Sequence, residues 1–251
     1  MSILLILLLS HFIADFYLQP DLWAEKKEKE RRYMVFHCAV YAAVTGLSAF
    51  LFIPWPVSMW VFLIIVLSHF LIDILKSIIN CKKSSNKSQF YTFCIDQILH
   101  IGIITAVFFV FSLSDQKTDI LLYLEQNAAV EKYLPYILLF SILLKPASIF
   151  VKKLLLYITP DNQDKEDKPD TDISGRKRII NISAGSLIGK IERVIIALLI
   201  IYNALGALGF VIAAKSLARY KQFENQNFTE KFLVGTLGST AIAILCTFLL
   251  I

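Results

Sequence analysis

Apolar stretches of about 18–24 residues, separated by short charged runs, recur along the whole chain. That length matches the roughly 20 residues a helix needs to cross a hydrocarbon core. The stretches cover residues 2–19, 33–53, 57–79, 91–113, 134–157, 191–214 and 232–251. None alternates apolar and polar with a period of two, which removes a transmembrane β-barrel. The pattern predicts an all-α, polytopic helical membrane protein with six to seven transmembrane helices.

Composition agrees. Of 251 residues 57% are hydrophobic and 18% charged, with a mean hydropathy of +0.64. A soluble fold of this length needs more charge to coat its surface, so a soluble enzyme, a disulfide scaffold and a disordered chain all fall away. Cys38, Cys81, Cys94 and Cys246 form no CxxC pair and read as reduced thiols. The first residues lack the basic n-region and A-x-A site of a signal peptide and run straight into His11 and Asp15. A retained first span is therefore expected.

The net charge of +5 resides in loops rather than on one face, so the expected partner is membrane lipid and not nucleic acid. The first loop carries Lys26, Lys27, Lys29, Arg31 and Arg32, and the third Lys76, Lys82, Lys83 and Lys87. The fifth, from Lys152 to Lys190, is long and rich in Lys and Arg, whereas the turn Pro54-Trp55-Pro56 has no charge. Basic loops stay cytoplasmic. This predicts a multi-pass protein of the cytoplasmic (inner) membrane with its N-terminus outside. The polar run Asp161–Asp170 has no apolar period and reads as a linker. It divides a five-helix unit, 1–157, from a polar cytoplasmic linker, 158–178, and a C-terminal membrane unit, 179–251. Within the last, Asn203–Gly209 interrupts the stretch 191–214. That predicts a re-entrant hairpin returning Lys215 and Arg219 to the side of Glu192 and Arg193.

Candidate chemistry lies in the first 100 residues, which hold all four histidines. His11 is followed by Asp15, His69 by Asp73, and Asp96 by His100, each four residues apart, while His37 has no such partner. Residues four apart share one helix face. Counted from the basic-loop ends of the spans, Asp15, His37, Asp73 and Asp96 fall about 6–9 Å deep, and His11, His69 and His100 about 12–15 Å deep. Two layers of ionisable groups at matched depth are costly in a bilayer and mark function. Imidazoles and carboxylates together suit one or two divalent transition-metal ions, Zn, Mn or Fe.

His11, Asp15, His69, Asp73, Asp96 and His100 are thus the candidate ligands, with His37 a ligand or acid/base and Asp15 able to double as general base. Gln97 is a candidate partner of a ligand. Lys76, Arg193, Lys215 and Arg219 are candidate contacts for an anionic substrate. The same residue types also serve helix–helix hydrogen bonding and ion or proton pathways.

The runs H-F-I-A-D-F-Y-L-Q at 11–19, H-F-L-I-D at 69–73 and D-Q-I-L-H at 96–100, with His37 between, resemble a bacterial integral-membrane family known as domain of unknown function 3307. L-I-G-K-I-E-R at 187–193, A-A-K-S-L-A-R at 213–219 and F-L-V-G-T-L-G-S at 232–239 are similar to its longer members. The resemblance implies a membrane protein but no set activity. More distantly, the His/Asp spacing resembles that of membrane-bound metal-dependent hydrolases, which implies hydrolysis of a lipid-like or phosphate-bearing substrate. Transport of an ion or proton, and a non-catalytic scaffold, are the alternatives.

Overall fold

The computed structural model describes residues 1–20, 23, 26, 30–82, 85–158 and 175–251, with backbone alone at 81, 82, 128, 129 and 175–184. All of its regular elements are helical, with no strand among the described residues. They are α1 (Ser2–Phe12), which runs on as a π-turn over Ile13–Tyr17, then α2 (Arg31–Phe52), α3 (Val57–Lys82), α4 (Asn86–Val110) and α5 (Asp119–Gln126). α6 (Ala128–Leu144), α7 (Pro146–Ile158), α8 (Gly175–Ile201), α9 (Gly206–Leu217) and α10 (Gln226–Leu250) follow.

Among the described residues five segments are long and apolar enough to cross a membrane: Arg31–Phe52, Val57–Asn80, Asn86–Val110, Val130–Ile158 and Gln226–Leu250. Only 28–33% of each crossing window is buried within the protein, and Leu47, Leu71, Ile98 and Phe109 are among the exposed side chains. All four histidines, with Asp73 and Asp96, meanwhile lie inside. Water would not tolerate this inversion; lipid demands it. The chain is built as a multi-pass membrane protein.

The chain forms two compact units, Met1–Ser141 and Ile142–Ile251. The division falls within the stretch read as one span at 134–157, where Pro146 starts a new helix after Leu144 because proline lacks the N–H that would continue the first. It therefore lies upstream of the boundary expected after residue 157, and the linker expected at 158–178 lies almost wholly outside the described residues.

In the first unit α1 packs on α2, α2 on α3, α3 on α4, and α4 returns to α1, closing a four-helix bundle. Because successive helices reverse direction, the start of α1 and α3 meets the end of α2 and α4. There Ile3, Leu7, Ala49, Ile53, Ile65 and Ile104 join a continuous apolar core. The opposite end holds the histidines. The loop expected over 112–133 contains α5, whose first turn is capped by the Thr118 hydroxyl accepting from Leu121 N–H at 3.4 Å.

In the second unit α10 packs on α7 and α8. Gly235 and Gly238 permit the approach: a Cβ on Gly238 would stand 3.0 Å from Leu154 Cδ2. α8 ends at Tyr202–Leu205, where Asn203 takes a left-handed φ of 56°, a conformation asparagine tolerates. α9 then folds back on α8, and Lys215 Nζ pairs with Glu192 Oε2.

Candidate metal centre

Each helix of the bundle delivers part of one buried cluster. α1 supplies His11 and, through the π-turn, Asp15; α2 supplies His37 and Tyr41; α3 supplies His69, Asp73 and Lys76; α4 supplies Asp96, Gln97 and His100. The four histidines, Asp73 and Asp96 are each at most 3% exposed. The π-turn is marked by Leu18 N–H reaching back five residues to Ile13 O at 2.9 Å. Such turns shift the register of the side chains that follow and recur at functional sites.

The partnerships run between helices rather than along them. His37 Nε2 lies 3.3 Å from Asp15 Oδ1 and 3.2 Å from Asp73 Oδ2, and His69 Nε2 lies 3.9 Å from Asp15 Oδ1. Of the three four-residue spacings, only Asp96 and His100 meet each other as an ion pair, Oδ1 to Nε2 at 3.4 Å. His37, which has no acidic neighbour in sequence, sits between two carboxylates. Two sets of three result, Asp15/His37/His69 and Asp73/Asp96/His100, each with one ligand atom per residue within 4.8 Å of the others. These buried groups could hold a metal ion. The deeper imidazoles gather as a patch: His69 and His100 stack at 4.3 Å between centroids, and His11 lies 5.2 Å from His100 and 6.0 Å from His69.

His11 stands apart from both sets, because each of its ring nitrogens has a protein partner. Nε2 lies 3.5 Å from Gln97 Oε1, which can only accept, so Nε2 carries the proton; Nδ1 then accepts from the Tyr41 hydroxyl at 3.2 Å. Gln97 in turn donates to Asp15 Oδ2 at 3.1 Å and to Asp96 Oδ2 at 3.0 Å. Tyr41, which the sequence analysis passes over, also stacks on His69 at 3.5 Å. The signal for it is present in the sequence: Tyr41 follows His37 by four residues, the spacing that singles out the other pairs.

Lys76 Nζ donates to Asp96 Oδ2 at 2.8 Å, and its side chain, 18% exposed, stands at the rim. Arg193, Lys215 and Arg219 belong to the second unit. The Arg193 guanidinium is buried and donates to Leu143 O at 2.8 Å, to Ser239 Oγ at 3.0 Å and to Ser148 Oγ at 2.5 Å. Lys215 is paired with Glu192, and Arg219 donates to Gln222 Oε1 at 3.2 Å beside the Phe228 ring.

A multi-pass helical protein with a histidine–aspartate cluster buried at one end of a four-helix bundle is the class these features define. The model of a family described as protein of unknown function DUF3307 matches residues 3–129, just over half of the chain, and the protein belongs to that family. The match takes in every histidine and aspartate of the cluster. Neither the curated proteins nor the solved structures contain a match.

Proposed function

We propose that the cluster is a divalent-metal centre and that the protein is a metal-dependent hydrolase of an amphiphilic, phosphate-bearing substrate. One observation carries the metal part. His69 Nε2 is a buried atom with no hydrogen bond, 3.9 Å from Asp15 Oδ1, and leaving such an atom unmatched costs about 1–3 kcal/mol. Asp96 Oδ1 and His100 Nε2, equally buried, face each other at 3.4 Å without an aligned hydrogen bond. His69 lies in one set of three ligands and Asp96 and His100 in the other, and an ion on each set would match them. The absence of cysteine from the cluster, with imidazole and carboxylate only, suits Zn, Mn or Fe. Such an ion, when bound, supplies an acidified water and charge stabilisation for displacement at phosphorus.

The protein's own groups take the remaining roles. Asp15, with 9% of its side chain exposed, is placed as general base, and His37 as ligand or acid/base. Lys76 offers a positive charge at the rim to an anionic head-group. The apolar core at the opposite end of the bundle, where the buried polar groups are the hydroxyls of Ser2, Thr45, Ser48 and Ser58 and not ionisable side chains, favours hydrolysis over transport. In this reading Ser2–Tyr17 is a sixth, short span, α8 and α9 form a re-entrant hairpin, and the centre faces the cytoplasm of a cell whose inner membrane holds the protein.

The test is elemental analysis of detergent-purified protein beside its His69→Ala variant. A transition metal near stoichiometric in the wild type and depleted in the variant is expected. Equal, negligible metal in both, with the variant merely less heat-stable, would leave the polar groups as a helix-packing scaffold.

A further inference from the structure

We infer that the cluster is a two-ion centre, one ion on each set of three ligands, and that Gln97 is the positioning residue that ties the two together. This rests on the metal-centre reading and deepens it to ion number and ligand class. The sets adjoin, since His37 Nε2 is within 3.3 Å of a carboxylate oxygen of each, and the stacked rings of His69 and His100 belong one to each. Each set also contains a buried atom without an aligned hydrogen bond, His69 Nε2 in the first and Asp96 Oδ1 and His100 Nε2 in the second. A single ion on the second set leaves His69 Nε2 unmatched, and one on the first leaves Asp96 Oδ1 and His100 Nε2 with their own 3.4 Å contact.

Gln97 decides which carboxylate oxygens face the ions. Its amide has two hydrogens, and they go to Oδ2 of Asp15 and Oδ2 of Asp96, one carboxylate from each set. The remaining Oδ1 atoms are the ones near imidazoles, Asp15 Oδ1 by His37 and His69, and Asp96 Oδ1 by His100. One side chain thereby turns two ligands to the correct face and fixes their separation. Its carbonyl is held by His11, and His11 by Tyr41, so the amide cannot rotate freely. Partners of this kind typically alter metal affinity 10–100-fold.

Charge names the ligand class. Ligating imidazoles are neutral, so Asp15, Asp73 and Asp96 against Lys76 leave two negative charges. One divalent ion cancels them. Two ions leave two positive charges, which a buried site holds only with an anion bound. The ligand the pair takes is therefore a phosphate-type oxyanion, with Lys76 beside it at the rim.

The experiment loads the full-length protein with Mn(II) in detergent and combines metal counting with electron paramagnetic resonance, with and without inorganic phosphate. Two Mn per chain with an exchange-coupled spectrum that phosphate perturbs is the expected result. Gln97→Leu should bind the second Mn 10–100-fold more weakly and lose the coupling, and Asp96→Asn should retain one uncoupled Mn. One Mn in the wild type, unchanged by Asp96→Asn, overturns the two-ion inference while the metal centre stands. Coupling unchanged in Gln97→Leu overturns the role of Gln97, a phosphate-insensitive spectrum overturns the ligand class, and no bound metal overturns the metal-centre reading as well.

Discussion

His11 on α1 and His69 on α3 are equally buried histidines, yet they differ in what their ring nitrogens face. His11 has Tyr41 and Gln97; His69 Nε2 has no aligned protein partner. Under the proposed metal centre, losing the first would remove a support and losing the second a ligand. His11→Gln is therefore expected to weaken metal binding about 10–100-fold, and His69→Gln to weaken it further still, as read by chelator competition. The reverse order would place His11 inside the coordination sphere. Far from the cluster, Lys117 Nζ donates to both oxygens of Glu125, at 2.9 and 2.7 Å, and this hydrogen bond holds the Glu125 carboxyl below its ordinary value of 4.5. A carboxyl depressed in the folded state adds stability above its unfolded pKa and loses it as pH falls through the folded one. The wild type should thus lose melting temperature on acidification below pH 4.5, whereas Glu125→Gln should show a shallower loss. At neutral pH the two should differ by only about 0.2–1 kcal/mol.

At the level of elements, hydropathy located α2 and α3 to within about three residues and α4 and α10 to within about six, since a bilayer imposes one length on every crossing. It could not show the π-turn after Phe12, because one extra residue in a turn leaves an all-apolar face unchanged. For the same reason the four-residue spacing singles out His11, which lies in neither set of three, and passes over His37, which Asp15 and Asp73 share, a contact between helices that no spacing within a helix encodes. Shortening the π-turn by deleting Ala14 should return the segment to regular α-helix and rotate Asp15 away from His37 and His69. Metal content should fall while the far-ultraviolet helical signal persists. The glycines give a second check on packing. Gly238→Val drives a branched side chain into Leu154, where even a Cβ stands at 3.0 Å, and overpacking of this kind costs about 1–3 kcal/mol. Gly102, with nothing within 4 Å of its Cβ position, should accept alanine without loss.

For the whole molecule, the chemistry and the family both belong to Met1–Ser141, and the second unit has a polar interior of its own, centred on Arg193. A run of apolar residues with one Glu-Arg pair reads in sequence as charges near a membrane surface. What that reading lacks is the break at Pro146, which brings Leu143 and Ser148 to the guanidinium alongside Ser239 of α10. Arg193, on α8, ties together Leu143 near the end of α6, Ser148 on α7 and Ser239 on α10. Arg193→Met keeps the length of the side chain and removes its donors, stranding three acceptors that were matched. The expected cost to the unit is about 1–3 kcal/mol, set by hydrogen bonds to a charged donor and moderated by the membrane reference state. Two measurements on the full chain separate this from a role at the metal centre. Proteolysis within 142–251 should accelerate in the variant, because its interior is loosened, while metal per chain stays at the wild-type level, because no ligand of either set lies in this unit. Metal lost in step with the proteolytic change would mean that the second unit is required for the centre, and Arg193 would then belong to the functional assembly instead of to the packing of its own helices.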